Sequence, residues 1–306
     1  MKDFFEMLNT LGKPKRSDII EKDFHLHRLL HMISQDDYLS GSLTFKGGTC
    51  LVKAYLGFYR FSEDIDFTWQ SDDLWKGRTV AETRRLCSEE ITTLAGHFRV
   101  MADTLGMNFS GDKTIAGEVH ISSGGRMVLF FIGYQSEILN MPSSIKVEIN
   151  FVDKTLYPFK DRELRSYVEN VESEELEFLY EKLWNEYNTE IQLGCYDPRE
   201  IYVEKCRASL TRMAYKLRDV IDILFMEEEF GYSVNEYKEQ IEEKVRFMLE
   251  LYERYRENIE LMRFPPADIL GSEEMKLFLI EPPKDLGLEV LRIHSELDDI
   301  RKELTA

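Results

Sequence analysis

Two stretches of the chain alternate apolar and charged residues with a period of two. In Asp64-Ile65-Asp66-Phe67 two carboxylates alternate with two large apolar side chains, and Ile145-Lys146-Val147-Glu148-Ile149-Asn150-Phe151 repeats the pattern over seven residues. Residues two apart in a strand share a face, so each segment predicts a strand with one buried and one polar face. Such strands need a sheet with one covered side, and the surrounding sequence supplies the rest of it. Further strands are expected at Leu43–Lys46 and over 117–122 and 126–135, with Asp64–Trp69 and 144–151 carrying the alternating segments. Ser123-Gly124-Gly125 is a good hairpin turn between the 117–122 and 126–135 strands. Helical periodicity is expected from Asp18, where Ile19, Ile20, Phe24, Leu29, Leu30 and Ile33 recur, and over 79–105. Residues 1–17 read as a polar, loose start with Gly12-Lys13-Pro14-Lys15 as a breaker.

The texture changes after Pro158. The remainder is poor in β-type sequence and has long helical periodicities over 199–229, 235–260 and 285–304, punctuated by Pro265-Pro266 and Pro282-Pro283. The expected organisation is α+β, with an α/β core over 1–158 and a mainly helical domain over 159–306. At 43% hydrophobic and 31% charged residues the chain is an ordinary globular one, which excludes disorder, collagen and coiled coil as its main state. Cys50, Cys87, Cys195 and Cys206 form no C-x-x-C pair, which argues against a zinc ribbon or disulfide scaffold and suits a reducing compartment. No apolar run approaches the ~18 residues of a membrane span, and Met1–Glu6 has no signal character, so a cytoplasmic, membrane-free protein is expected.

The chemistry concentrates on the alternating strands. Asp64 and Asp66 project together and repel, and a cation between them relieves that repulsion; hard oxygen ligands favour Mg²⁺ or Mn²⁺. If the strand of Glu148 neighbours that of Asp64, a three-carboxylate cluster results, of the kind that holds two metals in phosphoryl chemistry. The expected strand at Leu43–Lys46 ends in Gly47-Gly48, where backbone N–H groups lie open to an anion. Neither the dinucleotide-binding glycine pattern nor the Walker pattern occurs. His25, His27 and His31 cluster on the first expected helix, but no H-e-x-x-H accompanies them, and core or surface histidines are the simpler account.

Net charge is −18, from 39 basic and 57 acidic residues, so bulk attraction to nucleic acid is excluded and any such contact needs a local basic patch. Residues 205–218 offer one, with five basic residues in fourteen and no acid. On one continuous helix, Lys205, Arg212, Lys216 and Asp219 would share a stripe, with Arg207 and Arg218 on another. The plain alternative is a solvated face with an Arg218–Asp222 helix pair.

Taken together, Lys46-Gly47-Gly48-Thr49 and Arg60-Phe61-Ser62-Glu63-Asp64-Ile65-Asp66-Phe67 resemble the AbiEii/AbiGii nucleotidyltransferase toxins of type IV toxin–antitoxin systems. Glu21-Lys22-Asp23-Phe24, the run Glu204-Lys205-Cys206-Arg207-Ala208, Arg212 and Arg218-Asp219-Val220-Ile221-Asp222 extend the resemblance, in the family's order, over roughly 18–225. The resemblance implies a polymerase-β-like nucleotidyltransferase core with a mixed sheet and a C-terminal helical domain. It also implies that Asp64 and Asp66 bind metal, with Glu148 as the third carboxylate, and that Lys205 and Asp219 join them from the helical half. Lys46, Gly47, Gly48, Thr49 and Ser62 would lie at the nucleotide phosphates, and Arg207, Arg212, Lys216 and Arg218 would add positive charge there.

The activity implied is transfer of NMP from an NTP to an acceptor hydroxyl, with RNA or tRNA as acceptor, Mg²⁺ or Mn²⁺ as cofactor and a cognate antitoxin as partner. Two alternatives stand beside it: a nucleotidyltransferase that modifies a protein or small molecule, and a non-catalytic binding protein retaining the fold. The segment 160–198 is longer and more acidic than the resemblance leads one to expect. The basic stripe, finally, is expected to face the same cleft as Asp64.

Overall fold

A computed structural model of the protein describes residues 1–12, 16–261 and 264–305. Lys13, Pro14 and Lys15 of the expected breaker lie outside them. The chain divides into two compact units, Met1–Asp153 with Phe159–Tyr196, and Lys154–Pro158 with Asp197–Ala306.

All the strands of the described residues that form the sheet belong to the first unit. They are β1 (Leu43–Lys46), β2 (Asp64–Trp69), β3 (Val119–Ser122), β4 (Met127–Ser136), β5 (Met141–Asn150), β6 (Lys160–Leu164) and β7 (Ile191–Cys195), in the order β3-β4-β5-β2-β1-β7-β6. β2 runs parallel to β5 and β1 parallel to β7, while the remaining neighbours are antiparallel. The sheet is mixed and the fold is α+β. The β3–β4 turn uses Ser123, Gly124 and Gly125, all at positive φ, which is why two glycines stand there. The helices of this unit are α1 (Lys2–Leu11), α2 (Ser17–Gln35), α3 (Asp37–Ser42), α4 (Gly47–Leu51), α5 (Val80–Leu105), α6 (Glu174–Leu179) and α7 (Glu181–Tyr187). α5 opens with a Thr79–Glu82 capping box and closes on Gly106 in the left-handed region, and its Phe98 packs on Phe130 of β4.

Two sequence expectations fail in this unit. Residues 2–11 are not part of a loose start: α1 buries Phe4, Phe5 and Leu8 completely, and both rings pack against Phe24 of α2. One short apolar stripe inside a polar decapeptide is enough to dock it. The sheet also runs past the expected boundary at 158/159. β6 is an edge strand reading Lys-Asp-Arg-Glu-Leu, with Leu164 its one buried residue. Charge on an edge strand discourages pairing with another chain, and it also hides the strand from a hydrophobicity reading.

The second unit consists of α8 (Pro198–Thr211), α9 (Leu217–Phe230), α10 (Lys238–Leu251), α11 (Glu253–Glu260) and α12 (Leu286–Thr305). The expected helix over 199–229 is broken: Arg212 and Lys216 both have extended backbone, so the 100° projection that joined Lys205, Arg212 and Lys216 into one stripe does not hold. The 235–260 helix likewise divides at Tyr252, which is extended between α10 and α11. The segment Lys154–Pro158 is anchored within this unit. Glu200 accepts from the backbone N–H of Leu156 and Tyr157, Lys154 pairs with Glu243 at 2.6 Å, and the Arg199 guanidinium lies over the Tyr157 ring. Lys244, fully buried, is held between Glu200 at 2.5 Å and Glu204 at 2.6 Å.

Candidate active site

The sheet of the first unit turns the two alternating sequences into one polar surface. On β2, Ile65 and Phe67 are fully buried while Asp64 and Asp66 are half-buried; on β5, Ile145, Val147 and Ile149 are buried while Lys146 and Glu148 are half-buried. Because β2 and β5 are parallel neighbours, Asp64 stands opposite Lys146 and Asp66 opposite Glu148. On the other side of β2, Asp66 stands opposite Lys46 of β1. Lys46, Asp66 and Glu148 therefore form one row across three strands spaced ~4.8 Å apart, with Asp64 and Lys146 two residues along. The adjacency that would gather the three carboxylates, which alternation alone leaves open, is thus present.

Electrostatics follow from that geometry. Burial, then repulsion from Glu148 and from Asp64, pushes the Asp66 carboxyl up to about 7. Lys146 answers part of this charge, with its ammonium 2.8 Å from Asp64 Oδ2 and 4.0 Å from Glu148 Oε2. Burial alone would lower the Lys146 pKa, but its hydrogen bond to Asp64 and the neighbouring carboxylates hold it above the usual lysine range. Lys46 is committed elsewhere: its ammonium pairs with Asp153 at 2.9 Å, and Tyr196 Oη donates to the same carboxylate oxygen at 2.8 Å. Lys146, Asp153 and Tyr196 are polar groups of this surface that sequence reasoning missed. Lys146 could have been found, because it shares the polar side of β5 with Glu148.

The glycines close one edge of the surface. Gly47 has φ +78°, and a Cβ there would overlap the Asp66 carboxylate. A Cβ at Gly48 would press on the Arg60 guanidinium and lie 3.2 Å from Ser62 Oγ. Only glycine lets the backbone approach the acidic row this closely. The Thr49 hydroxyl is spent on the backbone carbonyl of Asp64, so it fixes the start of β2. The oxygen-only donor set and the side-chain-free approach at Gly47 and Gly48 suit a hard divalent cation and a phosphate. Among the described residues, no three His, Cys, Asp or Glu side chains are gathered into a ready-made cage for a metal ion.

The residues expected from the helical half form a separate polar network within the second unit. Lys205 is buried, with its ammonium 2.6 Å from Asp222 and 3.2 Å from Asp219, and Arg212 also pairs with Asp219. Burial would raise Asp219, but Lys205 and Arg212 outweigh it and hold the carboxyl below its ordinary value. The other bases of the run have acidic neighbours too: Arg207 pairs with Glu204 and Arg218 with Glu274, while Lys216 is exposed. His25 and His27 are core residues, while His31 is half-buried. Burial drives His25 and His27 down to about 3, so both are neutral, and His27 Nε2 lies 2.9 Å from the Thr189 carbonyl. The Glu21-Lys22-Asp23-Phe24 motif also builds the core: Glu21 accepts from Ser136 Oγ and Glu137 N–H, and Asp23 from the buried Lys53 and from Tyr187 Oη.

The sheet thus presents Asp64, Asp66 and Glu148 on one face beside the Gly47-Gly48 turn. The model of the nucleotidyl transferase AbiEii toxin family, type IV TA system, matches residues 28–290. The chain belongs to that family and is a nucleotidyltransferase of the toxin–antitoxin class. Comparison with curated proteins returns no match. Two solved structures are similar at low identity. JHP933 from Helicobacter pylori is 15% identical, covering 92% of this chain and 90% of that one, with a TM-score of 0.40. A protein from H. pylori provisionally named a nucleotidyltransferase is 15% identical, covering 94% and 95%, with a TM-score of 0.39. Among the described residues, no helix is long and apolar enough to cross a membrane.

Proposed function

We propose that the chain transfers NMP from an NTP to an acceptor hydroxyl on RNA, of the tRNA class, and that this transfer is the toxic activity a cognate antitoxin counters. In the reaction the acceptor oxygen bonds to the α-phosphorus, the bond from that phosphorus to the bridging oxygen breaks, and pyrophosphate leaves with the electron pair. The observation that carries this is the row of Asp66 and Glu148, with Asp64 two residues along, on parallel strands beside Gly47-Gly48.

Asp64, Asp66 and Glu148 are the residues that would hold Mg²⁺ or Mn²⁺. The cation, when bound, supplies Lewis-acid stabilisation of charge at the phosphorus. The chain's own groups do the rest. Gly47 and Gly48 admit the phosphates without a side chain in the way, with Ser62 and Lys46 beside them. Glu148 helps to hold the cation or accepts the proton from the attacking hydroxyl. Within the second unit, Lys205, Asp219, Arg207, Arg212, Lys216 and Arg218 are charged residues that we assign to nucleotide or acceptor binding.

The deciding experiment incubates the protein with each α-labelled NTP, Mg²⁺ or Mn²⁺, and either total RNA or protein extract. Label in RNA that is lost with Asp66→Asn supports the proposal. Label in protein alone moves the acceptor to the protein-modifying alternative, and no label in any fraction overturns transfer itself. Expression should slow bacterial growth, and Asp66→Asn should relieve it; equal toxicity of both would detach toxicity from this site.

A further inference from the structure

The acidic row contains an internal cation. Lys146 sits on the same strand and the same side as Glu148, directly opposite Asp64, and its ammonium is 2.8 Å from one Asp64 oxygen. Lys46, opposite Asp66 on the other side of β2, pairs with Asp153 and lies over the Tyr196 ring. The Lys146 and Asp64 side chains are 29% and 32% exposed, so the pair is open to solvent and can exchange partners, unlike the sealed Lys205–Asp222 pair. One unit charge compensates two carboxylates at 2.8 and 4.0 Å, whereas a divalent ion brings twice that charge in a smaller radius.

We propose that the Lys146 ammonium and a divalent cation compete for Asp64, so that Lys146 sets the metal affinity of the site. This rests on the metal assignment made above. Asp64 cannot give the same oxygen to both ions, and two cations side by side repel. A metal on either Asp64 oxygen must therefore displace the ammonium or bind against its repulsion, and its affinity is reduced in both cases. The Lys146 ammonium so displaced remains tethered beside the site, where the triphosphate brings about four negative charges for it to meet.

The test measures Mn²⁺ binding to the full chain by electron paramagnetic resonance, without nucleotide, for wild type, Lys146→Met, Lys146→Gln, Lys146→Arg and Asp66→Asn. Removal of the charge in Lys146→Met should tighten Mn²⁺ binding by at least about tenfold, and Lys146→Arg should stay within about threefold of wild type. If Lys146→Met does not fold, Lys146→Gln keeps a polar side chain of similar length and decides the matter. Thermal melting gives the second readout: the metal-free Lys146→Met protein should melt below wild type, and saturating Mn²⁺ should close the gap. Equal or weaker Mn²⁺ binding by the charge-free variants, with binding abolished in Asp66→Asn, overturns the competition and leaves the metal assignment standing. Failure of wild type and Asp66→Asn alike to bind Mn²⁺ overturns the metal assignment and the competition with it.

Discussion

A carboxyl that titrates near neutrality in the folded chain records a conflict between neighbours. Asp66 is raised from 3.8 to about 7, so the folded state holds the proton more tightly than the unfolded one. Charging it therefore costs stability progressively as pH rises from about 4 through 7, and the cost is full above 7. Asp66→Asn should be more stable than wild type at pH 8, by about 1–2 kcal/mol once solvent screening at a half-exposed site is allowed for. The difference should vanish by about pH 4. Thermal melts of both proteins across this range check it, and a variant less stable than wild type at pH 8 would contradict the repulsion. At this scale the sequence was partly legible. Period-two alternation exposed Asp64, Asp66 and Glu148 because side-chain direction in a strand depends on parity alone. The facing of Asp66 with Glu148, and of Asp64 with Lys146, comes from tertiary strand pairing and leaves no local trace.

At the scale of elements, what was legible was what carries its own periodicity. β1 and β2 start and stop where the pattern does, and α5 and α12 lie within a residue or so of expectation. The failures share one cause, which is that short elements are held by contacts distant in sequence. α1 shows one stripe of three buried residues, β6 is charged because it is an edge, and the break at 212–216 has no proline or glycine to mark it. That break allows Asp219 and Asp222, on the following helix, to close on Lys205. Because all three are buried, removing one partner leaves charge uncompensated in a poor solvent. Asp222→Asn should cost about 1–3 kcal/mol, and Lys205→Met more, since it leaves two buried aspartates facing each other. Lys205→Met combined with Asp222→Leu should recover part of the loss. A double-mutant cycle by chemical denaturation measures this coupling, and additive losses would deny it.

For the whole molecule, charge and chain path matter most. A net charge of −18 repels the proposed RNA acceptor at long range, and salt shortens that range from ~30 Å at 0.01 M to ~10 Å at 0.1 M. The KM for RNA should therefore fall or hold steady over that interval, and a steep rise would mean that local basic contacts dominate. The chain passes between its two units at 153/154, 158/159 and 196/197, and Glu200 secures the excursion by holding Leu156, Tyr157 and Lys244. Glu200→Gln should cost about 2–4 kcal/mol and make 154–158 the first site of limited proteolysis; cleavage that begins elsewhere would place the weak point differently. The same path governs synthesis on the ribosome. β7, which covers the open side of β1, is encoded by 191–195, long after the acidic strands have emerged. A chain released early would carry Asp64, Asp66 and Glu148 on a sheet with a bare, apolar edge, a substrate for aggregation and proteases. Chains interrupted before 191 should therefore aggregate or be degraded, and a pulse-chase of truncated chains that accumulate as soluble product would contradict this.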